Sequence, residues 1–276
     1  QEIANTAWAF ATAGVKSPRL FEALAQESRS RLSSFSDQGI ANLAWAFSTS
    51  DEAINHVDLF HDIASEAVGR VPNLLPQGLA NVAWSYANAD LRAPALFDAI
   101  AVEIVGPGPS TVSRRTARLK PQEFANLAWA LAKVNNAESP AVYEALATGM
   151  LALAARHGDD LGAAGLTHQE LANLAWAYAC ADHVDPALLG LLWRSVVDRA
   201  RKNIARADAS SLTSSMPYHD DSSSSSSSSS VDSLSSSAEN CSHAYDRDDD
   251  EAITTAWGFN LEERRQLQQV VLHARY

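Results

Sequence analysis

The sequence has few of the features that usually announce an enzyme or a membrane protein. Among 276 residues there are two cysteines, Cys180 and Cys241, too few and too differently placed to form a disulfide framework. A reducing compartment is therefore the simpler setting. There is no run of ~18 apolar residues, which speaks against a membrane-spanning helix and against the membrane as a partner. Glycines stand at Gly158, Gly162 and Gly165, but they do not spell GxGxxG, and no Gly-Lys-Ser/Thr phosphate loop occurs. His56 and His61 are badly spaced for two ligands on one helix face, and neither HExxH nor CxxC is present. These absences predict a protein that is not an enzyme and uses no cofactor and no metal. An initiator methionine is lacking too. The chain opens on Gln1, already inside a repeated phrase, so a fragment or processed form is expected, with any targeting peptide outside it.

Positive charge is also scarce: 21 Lys and Arg stand against 33 Asp and Glu, a net −12. The acidity is concentrated, because residues 207–251 hold ten acidic side chains and one basic one, Arg247, leaving −3 for the remainder. A nearly neutral body neither supports nor excludes a nucleic-acid partner.

What the sequence does have is repetition. QEIANTAWAFA at Gln1 returns as QGIANLAWAFS at Gln38, QGLANVAWSYA at Gln77, QEFANLAWALA at Gln122 and QELANLAWAYA at Gln169. The tryptophans Trp8, Trp45, Trp84, Trp129 and Trp176 are 37, 39, 45 and 47 residues apart. Periods of that length mark helical-repeat arrays.

Placed on a helix at about 100° per residue, with Gln as position 0, the phrase is apolar over most of its circumference. Apolar side chains at positions 2, 6 and 9, with Ala at 3 and 10, fill one broad arc, which positions 5 and 12 extend. A polar stripe remains: Gln at 0, Asn at 4, Ala or Ser at 8, and a changing residue at 11. Such a helix must be covered on three sides, as the inner helix of a solenoid is. The stripe would then line the concave surface.

A second helical segment follows each phrase. Four of the five begin with proline (Pro18, Pro94, Pro140, Pro186), and their anchors Phe21, Phe60, Phe97, Tyr143 and Leu189 fall 13 to 15 residues after the tryptophan. Proline suits a first helical position, where its missing N–H would be unpaired anyway. Each repeat thus reads as a helical hairpin, A then B, joined by a short polar turn such as Asn135-Asn136. Pro76 and Pro121 sit where later A helices should start, and Thr167 to Glu170 has capping-box spacing. Extra length gathers between B and the next A, which would place every insertion on one edge of the array.

The fold expected is an all-α solenoid of five antiparallel hairpins over residues 1–206. Residues 207–249, with nine consecutive serines at 222–230, are expected to be a disordered acidic insertion. Residues 250–276 carry a decayed sixth phrase, with Trp257 in register, Asp250 for Gln and Thr254 for Asn.

Four sets of residues could carry function. The tryptophans, at the edge of the apolar arc, are expected to anchor the core between hairpins, the other reading being a platform for unpaired bases. Asn5, Asn42, Asn81, Asn126 and Asn173 are poor mid-helix residues, so five copies at one position need a reason. Either their amides bond from repeat to repeat as a ladder, or they contact RNA. Thr12, Thr49, Asn88, Lys133 and Cys180 at position 11 vary as a base-reading code must, although drift near a helix end gives the same pattern. Candidate phosphate ligands are Arg114, Arg115, Arg118 and Lys120 before the fourth A helix, and Arg199, Arg201, Lys202 and Arg206 on the fifth B helix and beyond it. Solvated surface charge is the other reading of both groups.

The phrases, Gln169 to Tyr178 most clearly, resemble the repeats of organellar RNA-binding helical-repeat proteins. These are the octotricopeptide-like and FAST-leucine-rich-like arrays that often precede a RAP domain. The likeness covers about residues 1–206 and, weakly, 250–276. It implies an α-solenoid that binds single-stranded RNA in a mitochondrion or plastid and affects RNA processing, stability or translation. No RAP domain is recognisable in the sequence, so no activity of that domain is carried over. The proline-rich signature of typical octotricopeptide repeats is missing, which leaves the subfamily open. The competing reading is a non-catalytic protein-binding scaffold of armadillo or HEAT type.

Overall fold

The computed structural model describes residues 1–106, 113–134, 140–181 and 185–214, and all the regular structure among them is helical. Hairpin one pairs α1 (Glu2–Thr12) with α2 (Pro18–Arg31), and hairpin two pairs α3 (Asp37–Thr49) with α4 (Val57–Val68). Hairpin three is α5 (Pro76–Asn88) and α6 (Pro94–Val105); hairpin four is α7 (Pro121–Lys133) and α8 (Pro140–Ala155). The last pair is α9 (His168–Cys180) and α10 (Pro186–Ser214). The chain divides into two units, whose described parts are residues 1–196 and 197–214. Helix α10 runs past residue 206, so its last residues belong to the Ser-rich segment as read from sequence. The rest of that segment, the sixth phrase and the Asn135-Asn136 turn lie outside the described residues.

The helix ends follow local chemistry. Prolines open α2, α5, α6, α7, α8 and α10 at the first helical position. Thr167 Oγ1 accepts from the Glu170 amide at 3.3 Å, and the Glu170 carboxylate accepts from the Thr167 amide at 2.6 Å, completing the expected capping box. At position 13, just past the A helix, the backbone turns left-handed in three hairpins, at Gly14 (φ 64°), Asp51 (φ 61°) and Asp90 (φ 56°). Glycine pays no Cβ penalty there, and Asp is among the few side chains that tolerate it.

Within residues 1–196, A helices pack on A helices and B helices on B helices, giving the stacked hairpins of a helical-repeat solenoid. The A layer is the more closely packed of the two. The cause is the alanine content of the phrase. Ala41, Ala80, Ala125 and Ala172 at position 3 line one flank of their helices, and all are buried. Ala46, Ser85, Ala130 and Ala177 at position 8 are buried on the other flank. Position 8 is therefore interface and not part of the polar stripe. Small residues on both flanks let neighbouring backbones approach closely, and a large side chain at either would hold them apart. Ala9, the same position in the first helix, is exposed because no helix precedes it in the chain described.

Aromatic side chains at position 9 join the two layers. Phe47 meets Phe21 edge to face at 4.9 Å, Tyr86 meets Phe60 at 5.1 Å, and Tyr178 meets Tyr143 at 5.7 Å. Each pair links an A helix to the B-helix anchor of the preceding hairpin. The tyrosines add a polar tether: the Tyr86 hydroxyl donates to the Phe60 carbonyl at 2.5 Å, and the Tyr178 hydroxyl to the Tyr143 carbonyl at 2.9 Å. Burial pushes the phenol pKa of Tyr86, Tyr143 and Tyr178 above its ordinary value. Phe47, Tyr86 and Tyr178, with the anchors Phe21, Phe60, Phe97 and Tyr143, are buried within a wider core of Ala, Leu and Ile. At the start of α10 the buried side chain is Leu188, whereas the expected anchor Leu189 is half-buried.

Candidate functional site on the A face

The expected core anchors turn out to lie elsewhere. Trp45, Trp84, Trp129 and Trp176 are half-buried and Trp8 is 45% exposed, on the open side of the A layer. The wheel explains the displacement. Seven steps of ~100° bring position 7 to within ~20° of the glutamine, inside the polar stripe and opposite the core. Gln, Asn, Trp and position 11 thus share one arc of ~60°, repeated in five parallel helices.

Along this face the indoles form a ladder. Ring centroids of Trp8 and Trp45 are 6.5 Å apart, those of Trp84 and Trp129 6.5 Å, and those of Trp129 and Trp176 6.4 Å, with planes tilted by 36°, 31° and 39°. The tryptophans therefore do connect neighbouring repeats, but at the surface.

The asparagine amides do not form the ladder that was one expectation for them. Among the described residues, the side chains of Asn5, Asn42, Asn81 and Asn126 have no hydrogen-bond partner, and Asn173 accepts from Gln169 of its own helix at 2.9 Å. Asn5 is exposed and Asn42, Asn81, Asn126 and Asn173 are half-buried, on the open side of the A layer. Among the described residues, position 11 supplies a cross-repeat hydrogen bond from a side-chain amide instead. Asn88 Nδ2 donates to Ser48, at 2.9 Å to Oγ and 3.3 Å to the carbonyl.

All five position-11 residues are exposed. Lys133 lies with its Nζ 5.1 Å from the centre of the Trp129 ring, a cation–π contact. Thr12 and Thr49 present hydroxyls. Desolvation pushes the Cys180 thiol above its usual pKa, so it offers a neutral S–H.

The structure separates the basic candidates. Arg114, Arg118 and Lys120 are exposed and form no ion pair among the described residues. Arg115 is committed to the fold. Its guanidinium holds Glu103 at 2.7 Å and donates to the carbonyls of Leu74 at 2.5 Å and Pro72 at 2.9 Å, fastening one B-to-A connection to the one before it. Arg70 does the same one repeat earlier, reaching the Phe35 carbonyl at 2.6 Å and the Ser33 carbonyl at 2.9 Å. Sequence reading missed this pair of clamps because their acceptors are backbone carbonyls some forty residues upstream. Arg201 stands 3.8 Å from Asp198; Arg199 is half-buried and Lys202 exposed, and the Arg206 side chain lies outside the described residues.

The stripe combines flat π faces with neutral amide donors and acceptors, and among the described residues Lys133 is its only charged side chain. That chemistry suits planar groups whose edges carry both donors and acceptors. Among the described residues, no helix is long and apolar enough to cross a membrane. No protein-family model matches the chain, and a search of the curated proteins finds no match.

Proposed function

We propose that the A face binds single-stranded RNA and that the protein acts by binding, without catalysis, on the processing, stability or translation of RNA in a mitochondrion or plastid. One observation carries this reading: an indole and an asparagine amide recur together on one open face in every hairpin, and in four of the five the amide has no hydrogen-bond partner among the described residues. Unpaired bases offer π faces to the first and hydrogen-bonding edges to the second. The likeness of the phrases to organellar RNA-binding repeats supplies the compartment and the process.

A protein-binding scaffold is the second reading, favoured by a net charge of −12 and by Lys133 over Trp129, which shows an indole of this face taking a cation. Titration of labelled single-stranded RNA against the chain at several salt concentrations decides between them. The stripe holds Lys133, and Arg114, Arg118 and Lys120 are the candidate phosphate ligands that form no ion pair among the described residues. Engagement of one to four phosphates gives a slope of log K on log salt of about −0.7 to −2.8. No binding at low salt, with a basic peptide bound instead, would establish the scaffold.

A further inference from the structure

The looser packing of the B layer leaves a groove between α4 and the start of α6. It measures about 390 Å³, within the range of roughly 300–1,000 Å³ usual for specific binding clefts. One wall is a stripe of α4 made by Val57, His61, Ala64 and Val68, with Ser65 beside it. Spacings of four, three and four residues keep this stripe on one face along the helix, for about 16 Å. The other wall is the turn between α5 and α6, with Leu91, Arg92 and Pro94. Phe60 and Tyr86 form the floor. Tyr86 stands at position 9, on the opposite side of α5 from the polar stripe, so the groove lies away from the A face.

The apolar part of the groove is open: Val57 is 46% exposed, and Ala64, Val68 and Leu91 are half-buried. Its charge is of one sign. No Asp or Glu lines it, and Arg92 is exposed and forms no ion pair among the described residues. The first turn of α6, which borders it, carries no acidic residue, and the cap residue Ala93 provides no side-chain acceptor. That helix end adds its partial positive charge to Arg92. The next groove along, between α2 and α4, is the reverse. Glu22, Asp58 and Asp62 line it, and its one arginine, Arg29, is already held by Asp62 at 2.6 Å and Asp58 at 3.4 Å. In a chain of net charge −12, a groove lined by a cation and by no carboxylate selects the sign of its partner.

We propose that the α4–α6 groove binds an amphipathic helix of a partner protein, its apolar face on the α4 stripe and one acidic side chain against Arg92. The backbone groups of α4 are paired within the helix and offer no edge to an added strand, so recognition falls to side chains. A stripe of about three turns takes three turns of a partner helix, whose large apolar side chains sit over the small Ala64 and Ser65. A carboxylate on that helix meets the Arg92 guanidinium and the α6 end together. The site is independent of the RNA reading of the A face and gives the protein a second surface, on the other layer.

The test selects displayed random peptides of about 12 residues, roughly three helical turns, on the full chain. Synthetic copies of the selected peptides are then titrated by fluorescence anisotropy. They should carry Leu, Ile, Phe or Trp three and four residues apart, with an Asp or Glu within one turn. Ser65→Trp fills the groove and Arg92→Glu reverses its charge, and each should weaken binding about 10-fold or more. Both positions are exposed, so both variants should melt with the unaltered chain. Selected peptides rich in Lys or Arg, with affinities that ignore both substitutions, would place docking in the acidic α2–α4 groove and overturn the proposal. A library that yields no binder would overturn it too. Sedimentation tests the remaining occupant: self-association of the unaltered chain that either substitution abolishes would give the groove to a second copy and refute the acidic partner. Should Ser65→Trp melt early, hydrogen exchange of the unaltered chain replaces it. New protection in α4 and the α5–α6 turn on peptide binding supports the groove, and protection found only elsewhere refutes it.

Discussion

Tyr86 shows how one position of the phrase does structural work while its neighbour two residues earlier faces solvent. Its ring is 1% exposed, packed on Phe60, and its hydroxyl donates to the Phe60 carbonyl. Tyr86→Phe keeps the packing and deletes the bond, so a loss of about 0.5–1.5 kcal/mol is expected at neutral pH. The same substitution should help in alkali. Burial holds the folded phenol neutral well above its ordinary value of 10.0, while the unfolded chain ionises near that value. A folded pKa raised in this way gives stability that is present below about pH 10 and is lost as pH rises above it. Each pH unit beyond that point removes ~1.4 kcal/mol per such group from the unaltered protein. The two proteins should therefore converge near pH 11, roughly where the ionisation term cancels the lost bond. Denaturant melts from pH 7 to 11 measure this, and a constant difference across the range would refute the role given to the buried hydroxyl.

At the scale of the element, the connections between hairpins are held by arginine and not by core packing alone. Arg115 spans Glu103 and two backbone carbonyls of the preceding connection, with its side chain only 9% exposed. Arg115→Ala strands those acceptors and should cost about 2–3 kcal/mol. Arg115→Lys should recover less than half of that, because one ammonium cannot span a carboxylate and two carbonyls as a planar guanidinium does. RNA affinity should be unchanged in both variants once folding is allowed for, since the guanidinium faces the fold. A fall in affinity without a fall in stability would return Arg115 to the phosphate-binding set. The A helices themselves were readable from the sequence: their starts at Pro76 and Pro121 and the Thr167 capping box stand where expected. Local chemistry sets those positions without help from the rest of the chain.

For the whole array, contacts run between neighbours, so a disturbance should stay near its source. Ala83, at position 6 of α5, is fully buried. Ala83→Leu adds volume where the structure has none, at a cost of about 1–3 kcal/mol. Hydrogen exchange should quicken in α3, α5 and α7 while α1 and α9 keep most of their protection. Uniform quickening across all five A helices would show a single cooperative unit in place of a chain of coupled hairpins.

The sequence by itself determined the solenoid. Period, wheel and proline positions are local or repeating signals, and an array built from contacts between successive repeats converts them directly into architecture. The helix period also places Trp beside Gln and Asn, seven steps on. The composition of the phrase nevertheless pointed to a core anchor, and only the packing showed the indoles on the open side and position 8 in the interface. Only the tertiary structure decided what those residues do there. Whether an amide at position 4 bonds its neighbour depends on the distance between helices, and it does not. Whether Trp45 touches Trp84 depends on how two helices lie against each other, and no periodicity encodes that. Arg115 was indistinguishable from Arg114 in the sequence. Their roles separate only when the fold brings the Leu74 and Pro72 carbonyls, distant in the chain, within reach of one guanidinium and leaves the other in water.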